Sequence, residues 1–148
     1  DLHLRLRRQR QMCIRDSIYI MEPSLTNNQK IVLEALEDSE QPLGAYRILF
    51  NIEKKGIKSP QQVYRALDKL IEIGAVHKIE SLNSYIACKH KDCKARESTS
   101  FLICQECQKV YEVLESDLSD KFIKLSQESN FKYLTHNLEI FGICDLCN

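Results

Sequence analysis

Residues 59–77 read S-P-Q-Q-V-Y-R-A-L-D-K-L-I-E-I-G-A-V-H, and this stretch decides the fold. Ser59 is placed to cap a helix, Pro60 suits its first turn, and Gln62 completes a capping box. Val63, Ala66, Leu67, Leu70 and Ile71 recur at helical spacing, and Gly74 ends the run. Residues 76–81 and 85–88 follow as two short strands around Leu82-Asn83-Ser84, the pattern of a hairpin. Upstream, Thr26 and Gln29 form another capping box ahead of Val32, Ala35 and Leu36. Ala45, Ile48, Leu49 and Ile52 make a second stripe closed by Gly56. Helix, helix, helix, hairpin is the order of a winged helix-turn-helix domain.

The third helix leaves Gln61, Gln62, Tyr64, Arg65, Asp68 and Lys69 off its apolar stripe. A recognition helix presents N-terminal side chains to base edges, and a guanidinium such as Arg65 can fork onto guanine O6 and N7. Tyr64, and Tyr46 on the second helix, can donate to phosphates. A solvated helix face has the same composition, since Asp68 and Glu72 offset Lys58, Arg65 and Lys69. Pattern alone leaves both readings standing.

Composition sets the outer limits. The chain has 148 residues with formal net charge 0, so long-range charge selects no partner. Its longest apolar runs, such as 101–104 and 140–144, are four or five residues, too short to span a bilayer. Seven cysteines against four glycines and three prolines is the anomaly. No secretory signal accompanies them, so metal binding in a reducing compartment is the reading preferred over a disulfide scaffold. Residues 1–20 carry five arginines and two acids and do not match the periodic pattern that starts after Met21. They read as extraneous upstream sequence, against the alternative of a basic nucleic-acid arm.

Cys104-Gln105-Glu106-Cys107 and Cys144-Asp145-Leu146-Cys147 are two C-x-x-C pairs separated by thirty-six residues. Each pair places two thiolates on one metal, and four close a tetrahedral zinc shell with no open position for hydrolysis. A thioredoxin-like redox motif needs a single such pair at a strand–helix junction. Residues 110–114 read as a strand, Ser116 as the cap of a helix with Leu118, Phe122 and Leu125 inward, and 131–144 as a returning strand. A second constellation gathers His77, Cys88, His90, Cys93, Glu97 and Glu112 around the junction of the two halves. Mixed N, S and O ligands suit zinc. Taken singly, each also reads as an ordinary strand histidine, buried thiol or surface acid.

Gly44-Ala45-Tyr46, Val63-Tyr64-Arg65-Ala66-Leu67, the run G-A-V-H-K-I-E-S at 74–81, Asn83-Ser84-Tyr85 and the paired C-x-x-C motifs resemble the ferric uptake regulator family. Within it they are most similar to the zinc uptake regulator branch, over about residues 25–147. The resemblance implies an α+β chain: a winged-helix DNA-binding domain at 21–87, then a small α/β dimerisation domain at 88–148 with a four-cysteine zinc site. It implies a cytoplasmic, non-enzymatic homodimer that binds double-stranded operator DNA when zinc is replete and represses zinc-uptake genes. No membrane and no small-molecule substrate is implied. One structural zinc per subunit would rest on Cys104, Cys107, Cys144 and Cys147. One regulatory zinc would rest on His77, Cys88, Glu112 and, at a position usually histidine, Glu97, with His90 or Cys93 as substitutes. Tyr46 and Arg65 stand where the family contacts bases, with Tyr64 close by, and Gln61 joins them as a DNA-facing candidate from the exposed face of the third helix.

Other classes stay open on the residues alone. The deaminase signature H-x-E with P-C-x-x-C fails, because Lys91-Asp92 follows His90 and Ile103 precedes Cys104. Another metal or peroxide sensor of the same family, a thiol redox protein using Cys88 and Cys93, or a plain interaction module remain the alternatives.

Overall fold

Thr26 and Ser59 both close capping boxes. Each hydroxyl accepts from the N–H three residues on, and Gln29 or Gln62 accepts from the cap's own N–H. A computed structural model describes residues 24–89, 98–113 and 116–148 of the chain. The segment 1–20 lies outside them. Helix α1 (Asn27–Glu37) buries Val32 and Leu36, α2 (Ala45–Ile52) buries Ala45, Ile48 and Ile52, and α3 (Pro60–Glu72) buries Val63, Ala66, Leu67 and Leu70. A 3-10 turn (Glu53–Lys55) extends α2 and stops at Gly56, whose φ of 97° excludes most side chains. Gly74, at φ 76°, turns the chain from α3 into the hairpin in the same way.

Strands β1 (Val76–Ile79) and β2 (Ser84–Ala87) pair antiparallel, with Val76 opposite Ala87 and Ile79 opposite Ser84. They are shorter than the sequence pattern predicts. Glu80 and Ser81 fall in the turn, where the Asn83 N–H donates to the Glu80 carbonyl and Asn83 takes φ 44°. Leu43 adds a bridge to Tyr85, completing the winged arrangement of three helices and hairpin.

Alternation gives the hairpin two apolar faces. Val76, Tyr85 and Ala87 join the helical core with Val32, Ile48, Leu67 and Leu70. Ile79, with Ile86 and Leu82, packs instead against Phe101, Ile103 and Val110. Those three belong to a second sheet in the order β4-β3-β5: β4 (Val110–Val113), β3 (Thr99–Cys104) and β5 (Asn137–Gly142). β3 runs antiparallel to β4 and parallel to β5.

α4 (Ser116–Glu128) begins at Ser116, but Leu125 is 60% exposed rather than turned inward. The returning strand is shorter than predicted, because 131–136 forms no strand ladder with the described residues before Asn137 meets Thr99.

Candidate functional site

Cys104 ends β3, a tight turn brings back Cys107, and Cys144 and Cys147 sit in the next turn after β5. The parallel register places Cys104 opposite Gly142, two residues before Cys144, so the two C-x-x-C turns meet at one end of the sheet. All four sulfurs lie within 4.8 Å of one another, and Cys107 Sγ is 3.7 Å from Cys144 Sγ. Four thiolates around a zinc ion with Zn–S near 2.3 Å stand about 3.8 Å apart, so the cluster fits a zinc site.

Backbone dipoles act on the first of these thiols. The N–H groups of Cys107 and Cys144 point at Cys104 and bring its thiol down to about 6; the Cys144 N–H lies 3.4 Å from the sulfur. Cys147 is pushed up to about 12 because hydrogen bonding to the sulfurs of Cys144 and Cys107 keeps its proton in place. Four sulfurs this close cannot all be anions without a cation among them.

The second cluster joins the hairpin to the second sheet. His77 pairs with Ile86 across the hairpin, and Cys88, two residues further on, continues the ladder through its N–H to the Ala75 carbonyl. His77 and Cys88 therefore share the face that looks onto β4. Glu112 rises from β4 to meet them. Its Oε1 is 3.1 Å from His77 Nε2, and its Oε2 is 3.9 Å from Cys88 Sγ. The three donor atoms lie within 4.8 Å of one another, and both His77 and Glu112 side chains are almost wholly buried. An imidazole, a thiol and a carboxylate converging on one point is the donor set zinc prefers over hard cations. His90, Cys93 and Glu97 lie outside the described residues.

In the winged unit, α2 and α3 present Tyr46 (69% exposed), Tyr64 (39%), Gln61 and Arg65 to solvent. Gln62 is tied into the cap of α3 and Lys69 pairs with Glu72, whereas among the described residues no carboxylate pairs with Arg65. The described helices include none long and apolar enough to cross a membrane.

The family model of ferric uptake regulators matches residues 23–141. The chain belongs to the ferric uptake regulator family. Among relatives of this family member, the zinc uptake regulation protein of Escherichia coli is 36% identical over 125 residues, spanning 83% of this chain and 72% of the relative. The ferric uptake regulation protein of Bacillus subtilis is 30% identical over 142 residues, spanning 91% and 89%. Among solved structures, a zinc uptake regulator complexed with zinc and DNA superposes with TM-score 0.77 at 32% identity, covering 83% of this chain and 82% of the other. The crystal structure of holo XcZur gives TM-score 0.75 at 33% identity, covering 83% and 85%.

Sequence reasoning missed one set of contacts at the cysteine turn. Gln41, from the loop after α1, donates through Nε2 to the Cys107 carbonyl at 3.0 Å, and Glu40 pairs with Lys109 at 3.1 Å. No local signal marks either residue, because the partners are more than sixty positions away.

Proposed function

We propose that this chain is a zinc-responsive transcriptional repressor that binds operator DNA as a homodimer when zinc is bound and controls zinc-uptake genes. The single observation that carries the reading is the convergence of His77 and Cys88, on the hairpin of the winged unit, with Glu112 on the second sheet. The likeness to zinc uptake regulation proteins supports the choice of metal and of role. The same reading makes the protein non-enzymatic and cytoplasmic.

Cys104, Cys107, Cys144 and Cys147 hold a structural zinc under this reading, and His77, Cys88 and Glu112 hold a regulatory one. Glu97 is the proposed fourth ligand, with His90 or Cys93 as its substitutes. Zinc at the second site supplies a crosslink between hairpin and sheet. The chain's own geometry turns that into a DNA response. α3 ends at Glu72 and β1 begins at Val76, with the Ala75 N–H donating to the Leu70 carbonyl, so hairpin and helix move together. Holding the hairpin on the sheet therefore aims Gln61, Tyr64 and Arg65, together with Tyr46, at one groove.

The second copy is assigned to the outer face of the sheet. Leu102, Tyr111 and Ile140 form an exposed row there, continued by Ile143 and Leu146. A contiguous apolar face of this kind marks an association surface. Two reading helices must be held one helical turn of DNA apart, so affinity falls with the fraction of dimers at the right angle.

The test is a zinc titration of duplex binding, using a DNA selected by the wild-type protein from a random-sequence pool. The wild type binds with zinc and releases with chelator. Cys88→Ala remains a folded dimer by sedimentation but shows no zinc-dependent binding. A Cys88→Ala protein that responds to zinc as the wild type does overturns the reading.

A further inference from the structure

Beyond the metal cluster, the hairpin touches the second sheet at its turn. Glu139, on β5, accepts the Glu80 N–H at 2.8 Å through Oε1 and the Ser81 N–H at 3.2 Å through Oε2. Both N–H groups lie past the last pair of the hairpin, Ile79 opposite Ser84, and among the described residues no backbone carbonyl takes them. The Glu80 carboxylate pairs with Lys78 Nζ at 2.6 Å, which offsets its charge beside Glu139. Two charge-assisted bonds to one carboxylate set direction as well as position.

The register explains why this acid reaches the turn. Phe101 on β3 stands opposite Glu112 on one side and Glu139 on the other. Partners in a ladder point to the same face, so Glu112, Phe101 and Glu139 form one row directed at the hairpin. Strands are spaced about 4.8 Å apart, which puts the two acids about 10 Å from each other across the row. From His77 on β1 to Glu80, the first residue past the strand, is three residues, also about 10 Å. The hairpin thus lies across the row and is held near both ends, by Glu112 at His77 and Cys88 and by Glu139 at the turn. Phe101, fully buried, fills the space between. Packing on Phe101 seats the hairpin, and two polar attachments about 10 Å apart resist the tilting across that seat that one alone permits.

We propose that Glu139 is a positioning residue for DNA binding. Its carboxylate clasps the wing turn and, with the metal cluster, fixes the angle at which α3 is carried. This rests on the repressor reading above and adds to it a contact that needs no metal. Each dimer needs both protomers at the right angle, so a threefold loss of correctly held protomers lowers dimer affinity about tenfold.

The experiment compares zinc-loaded wild type, Glu139→Ala and Glu139→Gln, by duplex binding and by amide hydrogen exchange. In Glu139→Ala the amides of Glu80 and Ser81 lose protection while those of β1 and β2 keep theirs, which a general loss of stability would not produce. Affinity for the selected duplex falls about tenfold with zinc content and dimer state unchanged. Glu139→Gln, which keeps one acceptor oxygen, falls between. Unchanged protection at Glu80 and Ser81, or unchanged affinity in Glu139→Ala, overturns the clasp. A wild type that binds no duplex with zinc overturns the repressor reading itself, whereas a normal wild type beside an unaltered Glu139→Ala overturns the clasp alone.

Discussion

Glu112 and Glu139 stand on either side of Phe101 in one row of the second sheet, and both carboxylates bond to the hairpin of the winged unit. One reaches the histidine and thiol near the hairpin's open end, the other the two N–H groups of its turn. The phenyl ring between them also meets His77, with ring centroids 5.8 Å apart. The junction of the two units is thus an apolar centre flanked by two acids.

Phe101→Ala empties that centre. Among the described residues, the other buried members of this small core are Ile79, Ile103 and Val110, so little can collapse into the space. The expected loss is about 3–5 kcal/mol of stability, read by denaturant unfolding. Zinc affinity at His77, Cys88 and Glu112 falls with it, because the hairpin loses its seat.

Cys104→Ala removes the thiol that terminates β3, a proposed zinc ligand. Cys144 loses the sulfur its N–H donates to, and the two cysteine turns lose their common point. Elemental analysis is expected to show one zinc fewer per chain, and circular dichroism a loss of strand signal, since binding free energy at such a site is folding free energy.

His136 gives stability a pH dependence of known sign. Its ring sits against Phe122, with centroids 4.7 Å apart, and its Nδ1 shares a hydrogen bond with Tyr133 Oη at 2.7 Å. Burial lowers its pKa from the ordinary 6.5. The unfolded chain then binds the proton more tightly. The contribution of His136 to stability is full above pH 6.5 and is lost as the pH drops through that value toward the folded pKa. His136→Gln is expected to flatten that part of the curve, measured as Tm against pH beside the wild type.

Arg65→Lys keeps the charge on α3 but loses the planar fork. Binding to the selected duplex is expected to weaken by about 1–3 kcal/mol, with discrimination between duplexes reduced, in a mobility-shift competition. A uniform loss across all duplexes would mean that Arg65 touches phosphate only.

The parts legible beforehand are those governed by neighbours along the chain. Ser59, Pro60 and Gln62 state where α3 starts, and Gly74 where it stops. The C-x-x-C spacing states that each pair serves one centre. His77, Cys88 and Glu112 were readable only as a cluster at the junction of the two halves, and the register of the hairpin is what puts His77 and Cys88 on one face. The length of β5 was not legible, since 131–136 carries apolar residues much as the strand does but forms no strand ladder with the described residues. Leu125 misled for a related reason: helical periodicity names a face without saying what covers it.

The amino-acid order alone determined the three helices, the hairpin and the four-cysteine centre, because caps, periodicity and short ligand spacing act within a turn or two of chain. Only the tertiary structure decided that Glu112, Phe101 and Glu139 share a row and that Glu80 and Ser81 find their acceptor on β5. Those contacts depend on the register of β3 with two distant strands, and a slip of one residue would turn both acids to the opposite face.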